Sequence, residues 1–521
     1  MPTLLTHVHT PATPADPEAD RRSLRGWLLP FLGVGSLLAS CIVWSLRKPM
    51  WGDEVFTWTE LHDPSLRHLL GAIARLGGGG MPLFSLTAWP WAHGFGFSDL
   101  SLRLYSSVAV CGAFLVLFAA LRRRLGARAA FLGTSFGFCA SLIVLDQNAE
   151  ARGYGLYLLL AALATAQVLK VAETESWRPR DLFFLAVTQA GLVLGHPLGL
   201  LYAGLLLLAL IAVDLSARQL RFRIYLACVA GWLALIPWIP ALRASAAVGR
   251  PHGWIGVPSV GDLASSLSFW LFTGLYWQIP HLPSMALVAG WLAGVACVTL
   301  IVFASAVGLR DSPRTNRAVF FAGCALLLGP SLFFIVSHLT TPIFLPRYLL
   351  PSVAGVCLLG AAAADRFRFG KRSSVALGAV FLALPVATAL LARPVGLNVT
   401  RVDELAAGRI VVCDSLKDFL VMTRYTTQPA SPRFPLDVEV ADTLPGADAD
   451  VRLMVNYRRE GYFAGHLADT QTLLGEPSFL FLGNSGAAWF RMRIAGDPHF
   501  TWKTLVRIDS SRSLIEVDRQ P

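Results

Sequence analysis

Two adjacent carboxylates, Asp53 and Glu54 in Trp51-Gly52-Asp53-Glu54, stand a few residues after an apolar run long enough to cross a bilayer. An ionisable pair at the edge of a membrane is costly to keep, and it persists for a partner cation, a metal or a reaction. A carboxylate held there can take the proton of an attacking hydroxyl. A second polar cluster, Asp146-Gln147-Asn148-Ala149-Glu150-Ala151-Arg152, separates two otherwise clean apolar runs. Its bland use is a solvated turn with Glu150 and Arg152 paired. A third, Leu345-Pro346-Arg347-Tyr348, puts an arginine at the mouth of a late apolar run. An anionic partner such as a lipid phosphate would satisfy it. Asp53, Glu54, Asp146 and Glu150 would suit a hard divalent ion if their loops converged, and His338 or His252 would suit zinc. No contiguous ligand spacing exists, so neither a metal nor another cofactor is assigned.

Composition dictates what must position these groups. With 55% hydrophobic and 15% charged residues over 521, and a mean hydropathy of +0.56, the chain is a polytopic membrane protein, mainly α. The net charge of +11 is read as membrane topology, with no nucleic-acid partner. Eight cysteines show neither a CxxC nor a Cys/His spacing, so they are small core residues. Arginine far outnumbers lysine, which occurs at 48, 170, 371, 417 and 503. With abundant Ala, Gly and Leu, this suits a bacterium with a GC-rich genome.

Residues 1–26 read as a disordered cytoplasmic tail. Apolar runs follow near 27–46, 102–121, 129–145, 154–172, 182–198, 199–213, 224–241, 284–308, 318–337, 349–364 and 374–392, about eleven spans within a membrane domain of 27–394. Arginines collect in alternate connections, which are cytoplasmic by the positive-inside bias. The Asp53 loop, the 146–152 loop, the 242–283 loop, the 338–348 loop and a C-terminal domain from 395 to 521 then share the extracytoplasmic face of a bacterial plasma membrane. The first outer loop, 47–101, is too long for a simple connection. Leu66, Leu69, Leu70, Ile73 and Leu76 predict an interfacial helix, with Arg67 and Arg75 reaching headgroups. His196-Pro197 must supply a tight turn. The loop 242–283 mixes Arg243, Arg250, His252, Trp254, Asp262, Trp270, Tyr276 and Trp277, as sugar sites and interfacial aromatic belts both do.

From 395 onward the pattern predicts a small α/β or α+β domain. Strands are expected at 409–413, 451–455, 479–482 and 488–494, a helix at 416–424, and a turn at Gly483-Asn484-Ser485-Gly486.

The order of these features is distinctive. A span is followed by WGDE, an interfacial helix, Met81-Pro82-Leu83-Phe84, Ser98-Asp99-Leu100-Ser101-Leu102-Arg103, a basic RRRLGARAA turn, DQNAEARGYG and FLPRYLLP. Over about residues 27–365 this resembles the bacterial protein O-mannosyltransferase-like enzymes of glycosyltransferase family 39, which have the GT-C fold. The resemblance implies transfer of a sugar from a polyprenyl-phosphate donor, outside the cytoplasm, with Asp53 matching the family's catalytic aspartate. On that reading Asp53 is the general base of an inverting displacement and Glu54 assists it. Arg152, Arg347 and Arg103 face the lipid phosphate, Tyr348 lies in the same site, and Asp146 and Glu150 bind sugar hydroxyls. The partners are the bilayer, the polyprenyl-linked sugar and an acceptor protein, glycolipid or cell-wall glycan. One departure stands out: relatives often carry His-Pro-Pro-Leu where this chain has Gly80-Met81-Pro82-Leu83. The role of that histidine is vacant here or falls to His62, His68 or His93. A lipid-linked sugar transporter or flippase, a non-catalytic scaffold and an oligosaccharide ligase are the rival readings. Polar clusters gathered at one face, without an internal repeat, favour the enzyme over a transporter.

Overall fold

The computed structural model describes residues 28–174, 177–248, 255–268, 284–307, 309, 312–391, 396–429, 431–439, 448–484, 489–495 and 497–520. The expected tail at 1–26 lies outside them, as do Arg250, His252, Trp254, Trp270, Tyr276 and Trp277. Helix α1 (Leu28–Ser45) is followed by three short helices, α2 (Gly52–Leu61), α3 (Leu66–Leu76) and α4 (Pro82–Phe95). The bundle continues with α5 (Asp99–Cys139), α6 (Leu142–Asn148), α7 (Tyr154–Glu173), α8 (Pro179–Gly195) and α9 (Gly199–Ser216). Next come α10 (Phe222–Trp232) and α11 (Ile239–Val248), joined by a 3-10 turn, then α12 (Val260–Ser268) and α13 (Ser284–Ala306). Helices α14 (Arg314–Leu327) and α15 (Gly329–Leu339), a 3-10 turn at Pro346–Leu349, α16 (Ser352–Phe367) and α17 (Lys371–Leu391) complete it.

Each expected apolar run is helical over most of its length, because a backbone in lipid must satisfy its own hydrogen bonds. Among the described residues, seven helices are long and apolar enough to cross a membrane. The runs expected at 102–121 and 129–145 share the 41-residue α5, which Gly126 breaks at φ +83°. Beyond that break α5 lies directly on α16. A Cβ on Gly133 would come within 2.4 Å of the Ala361 amide nitrogen, and one on Gly137 within 2.3 Å of Cys357 Sγ. Small residues let the two backbones meet. The arginine-rich connections gather at one end of the bundle, where Arg124 pairs with Glu173, and Arg221 and Arg314 both hold the buried Asp214, at 2.7 and 2.6 Å.

After α18 (Val399–Ala406) the chain builds a six-stranded sheet, order β3-β2-β1-β4-β6-β5. Strands β1 (Val411–Cys413), β2 (Pro432–Leu436), β3 (Leu467–Asp469) and β4 (Ser478–Asn484) are parallel, while β5 (Phe500–Arg507) and β6 (Arg512–Arg519) run antiparallel along one edge. Helices α19 (Leu416–Tyr425), α20 (Asp448–Arg459), α21 (Thr470–Leu474) and α22 (Trp489–Ala495) pack around it. Two expected strands are therefore helices. Val451, Met454 and Tyr457 are buried at a spacing of three, as are Phe490 and Ile494 at a spacing of four, and those are helical periods. The expected turn begins inside β4 at Gly483 and Asn484, and Ser485 and Gly486 lie outside the described residues.

Helix α3 also departs from expectation. Ser65 caps it by accepting from the His68 amide, and Gly77, at φ +79°, stops it. Its apolar side of Leu69, Ala72, Ile73 and Leu76 is buried in the same core as the C-terminal sheet region. Arg75, expected at headgroups, instead makes a two-pronged bond to Glu460, at 2.7 and 2.6 Å.

Candidate active site

The Asp53-Glu54 pair opens α2, and its two carboxylates go to different places. Glu54 is fully buried and accepts the Trp51 amide at 3.2 Å, which closes the first turn of the helix. It also accepts from Arg103 Nε at 2.8 Å, Arg103 Nη2 at 2.7 Å and the Ala151 amide at 2.8 Å. Arg103, equally buried, donates further to the carbonyls of Lys48 at 2.7 Å and Pro49 at 3.1 Å. One ion pair thus knits the α1–α2 linker, α2, α5 and the α6–α7 linker together. The expectation that Glu54 assists the chemistry and that Arg103 meets substrate is corrected: their polar atoms are bonded to protein and sealed from solvent.

Asp53 points elsewhere. Its side chain is 26% exposed, and its Oδ2 lies 3.5 Å from Arg347 Nη2. Arg152 Nη1 donates to the Asp53 carbonyl at 3.1 Å and to Thr57 Oγ1 at 3.3 Å. The Arg347 guanidinium sits among three rings, 5.6 Å from Trp51 and 5.8 Å from both Tyr154 and Tyr348. Asp53, Arg152, Arg347 and Tyr348 therefore occupy one site, built from α2, the α6–α7 linker and the 3-10 turn before α16.

Glu150 and Asp146 flank it. Glu150 is buried, its Oε1 lies 3.9 Å from Lys48 Nζ, and its Oε2 has no hydrogen-bond partner among the described residues. Burial pushes its carboxyl up to about 8, and the Asp146 charge adds to the push. Asp146 accepts from Gln147 Nε2 at 3.1 Å.

Two members of the site were not expected. Lys48 could have been suspected as a lone lysine just past the first span. His196, assigned only a turn, stacks on Tyr157 at 4.4 Å and stands 5.2 Å from Tyr348. Its Nδ1 accepts the Leu198 amide at 3.2 Å, which places the proton of the neutral ring on Nε2. Burial, aided by the Arg152 and Arg347 charges, pulls it down to about 3. The three histidines proposed for the vacant motif position are occupied otherwise. His62 bonds the Trp58 carbonyl and His93 that of Trp89, while His68 pairs with Asp63.

A divalent metal does not fit the carboxylates first considered for it. Glu54 is committed to Arg103, and among the described residues no three His, Cys, Asp or Glu side chains gather as ligands would. His338 bonds its own helix at the Phe334 carbonyl, and His252 lies outside the described residues.

Neither a family model nor a curated protein matches the sequence. Solved structures do. ArnT from Cupriavidus metallidurans bound to undecaprenyl phosphate is similar over 95% of this chain and 98% of its own, at 14% identity and a TM-score of 0.56. The apo state of the same protein matches over 94% and 98%, at 14% identity and a TM-score of 0.58. The chain shares the ArnT fold. This is the GT-C architecture that the motif order implied, a bundle of membrane helices with a small C-terminal sheet region.

Proposed function

We propose that the chain is a membrane glycosyltransferase that moves a sugar from a polyprenyl-phosphate donor to an acceptor hydroxyl at the extracytoplasmic face. The bundle end that carries Asp53 faces outward on this reading, opposite the arginine-rich connections. The observation that carries it is the half-open Asp53 carboxylate beside Arg347 and Arg152, in the fold of a protein whose structure contains undecaprenyl phosphate. An arriving lipid phosphate competes for Arg347 and pairs with it. Asp53 is then left to take the proton of the acceptor hydroxyl as that oxygen attacks the anomeric carbon. The leaving phosphate keeps the electron pair and its charge is met by arginine, so no general acid is required. One displacement without a covalent intermediate inverts the anomeric carbon. On this reading Asp146 and Glu150 accept from sugar hydroxyls, and the Tyr348 ring flanks Arg347.

Sugar transfer by the purified protein in nanodiscs tests this, using labelled polyprenyl-phosphate sugars and membrane extract as acceptor. Asp53→Asn, folded as the wild type is, should lose about 100-fold or more of the rate. Undiminished transfer by that variant would remove Asp53 from the chemistry. Carrier binding without transfer from any donor would point to a transporter or a scaffold.

A further inference from the structure

The α1–α2 linker sets Lys48, which has no part in the chemistry above, beside Glu150 of the α6–α7 linker. Lys48 follows the end of the apolar helix α1 by three residues, and its flexible stem lets the ammonium reach beyond the apolar segment. Its Nζ is 3.9 Å from Glu150 Oε1, too far for a hydrogen bond, so Glu150 leaves its donors unspent. Glu150 Oε2, Gln147 Oε1 and Trp51 Nε1 are all buried without a hydrogen-bond partner among the described residues. Glu54, which accepts both the Trp51 and the Ala151 amides, ties the two linkers that carry Trp51 and Glu150 to each other. Glu150 Oε2 is thus a buried polar atom without a partner beside a mostly buried cation, 16% exposed at its side chain, and a polar ligand would satisfy both.

The charge state of Glu150 decides whether Lys48 can serve such a ligand. The charged groups facing Glu150 are Lys48 from its linker, Asp146 from α6, Glu54 from α2 and Arg347 from the 3-10 turn. Glu54 is neutralised by Arg103. Lys48, Arg347 and Arg152 then stand against Asp53 and Asp146, a net positive site. Ionising Glu150 cancels that excess and offers Lys48 a carboxylate in place of a phosphate. A buried carboxylate with an unpaired oxygen beside a second acid is costly to ionise, so the resting form is neutral.

We propose that Lys48 binds the phosphate of the polyprenyl carrier and that Glu150, while protonated, leaves it free to do so. This rests on the glycosyl-transfer reading and adds a proton-controlled cation to it. The test is binding of undecaprenyl phosphate to the full chain in zwitterionic nanodiscs, with phosphatidylglycerol as competitor. A group titrating at about 8 makes wild-type binding weaken about tenfold between about pH 7 and about pH 9. Glu150→Gln loses that weakening, and the carrier's own ionisation is common to both proteins. Lys48→Ala binds about tenfold more weakly at the lower pH, and Lys48→Arg regains most of the loss. Wild-type-like binding by Lys48→Ala, an unchanged pH dependence in Glu150→Gln, or equal competition by phosphatidylglycerol overturns the proposal alone. A folded wild type that binds no carrier at either pH overturns the glycosyl-transfer reading with it.

Discussion

At residue scale, the two acids that open α2 show how neighbours in sequence divide their labour. Successive helical residues project about 100° apart, so Glu54 is driven inward to Arg103 while Asp53 reaches Arg347. Removing one partner of the buried pair leaves an uncompensated charge, at about 3–5 kcal/mol. Arg103→Met should therefore lower the melting temperature in detergent sharply. The double variant Glu54→Leu/Arg103→Met should recover much of the loss, because the remaining buried charge is gone. A small shift for Arg103→Met would mean that water reaches the pair. The acids, Arg152, Arg347 and Tyr348 were legible from the sequence because each breaks an apolar context. Which of them meet substrate was not, since that depends on the partner each finds across the fold. Lys48 and His196 belong to the site for the same reason, and neither belongs to a motif.

At element scale, the membrane runs are readable because length and apolarity are what lipid demands. Their pairing is hidden in glycines. Gly133 and Gly137 sit where α5 meets α16 backbone to side chain, with Ala361 and Cys357 already inside contact distance of any added Cβ. Gly133→Val must push the helices apart. Overpacking typically costs about 1–3 kcal/mol, and a backbone neighbour places this site at the upper end. Thermal unfolding should show that loss, while Gly35→Ala, where no atom lies within 4 Å of the new Cβ, should be nearly silent. The α3 helix shows the opposite limit of legibility. Its apolar stripe suits a membrane surface and a protein core equally well, and the composition of the stripe cannot distinguish them. In the C-terminal sheet region the error was one of period, because short apolar runs of four or five residues read alike as strand or helix.

At the scale of the whole molecule, the C-terminal sheet region holds α2, the helix that Asp53 opens, through several tyrosines. Tyr457 Oη donates to Glu60 Oε1 at 2.5 Å and its ring stacks on Phe56 at 4.8 Å. Tyr462 donates to Asp63 at 2.8 Å, and Tyr425 accepts the Met50 amide at 2.6 Å. Asp53, Thr57 and Glu60 follow one another along a side of α2, and Arg152 bonds the first two. Burial pushes the Glu60 carboxyl up, while the Tyr457 hydroxyl and the Arg152 charge oppose that rise. Tyr457→Phe removes one of the two opposing groups and frees the end of the helix that carries Asp53. Small displacements of a catalytic group are expensive, up to about 100-fold for about 1 Å. Tyr457→Phe should thus lower kcat about tenfold and leave carrier binding nearly unaltered, because Arg347 is not on α2. Arg75→Ala cuts a second bridge to the same region, the pair with Glu460, at a side chain 59% exposed. An exposed pair contributes little, so its kcat should stay close to that of the wild type. Equal losses from the two variants would reduce the C-terminal sheet region to a tether. A loss confined to Tyr457→Phe makes it part of what positions Asp53, the base of the proposed reaction.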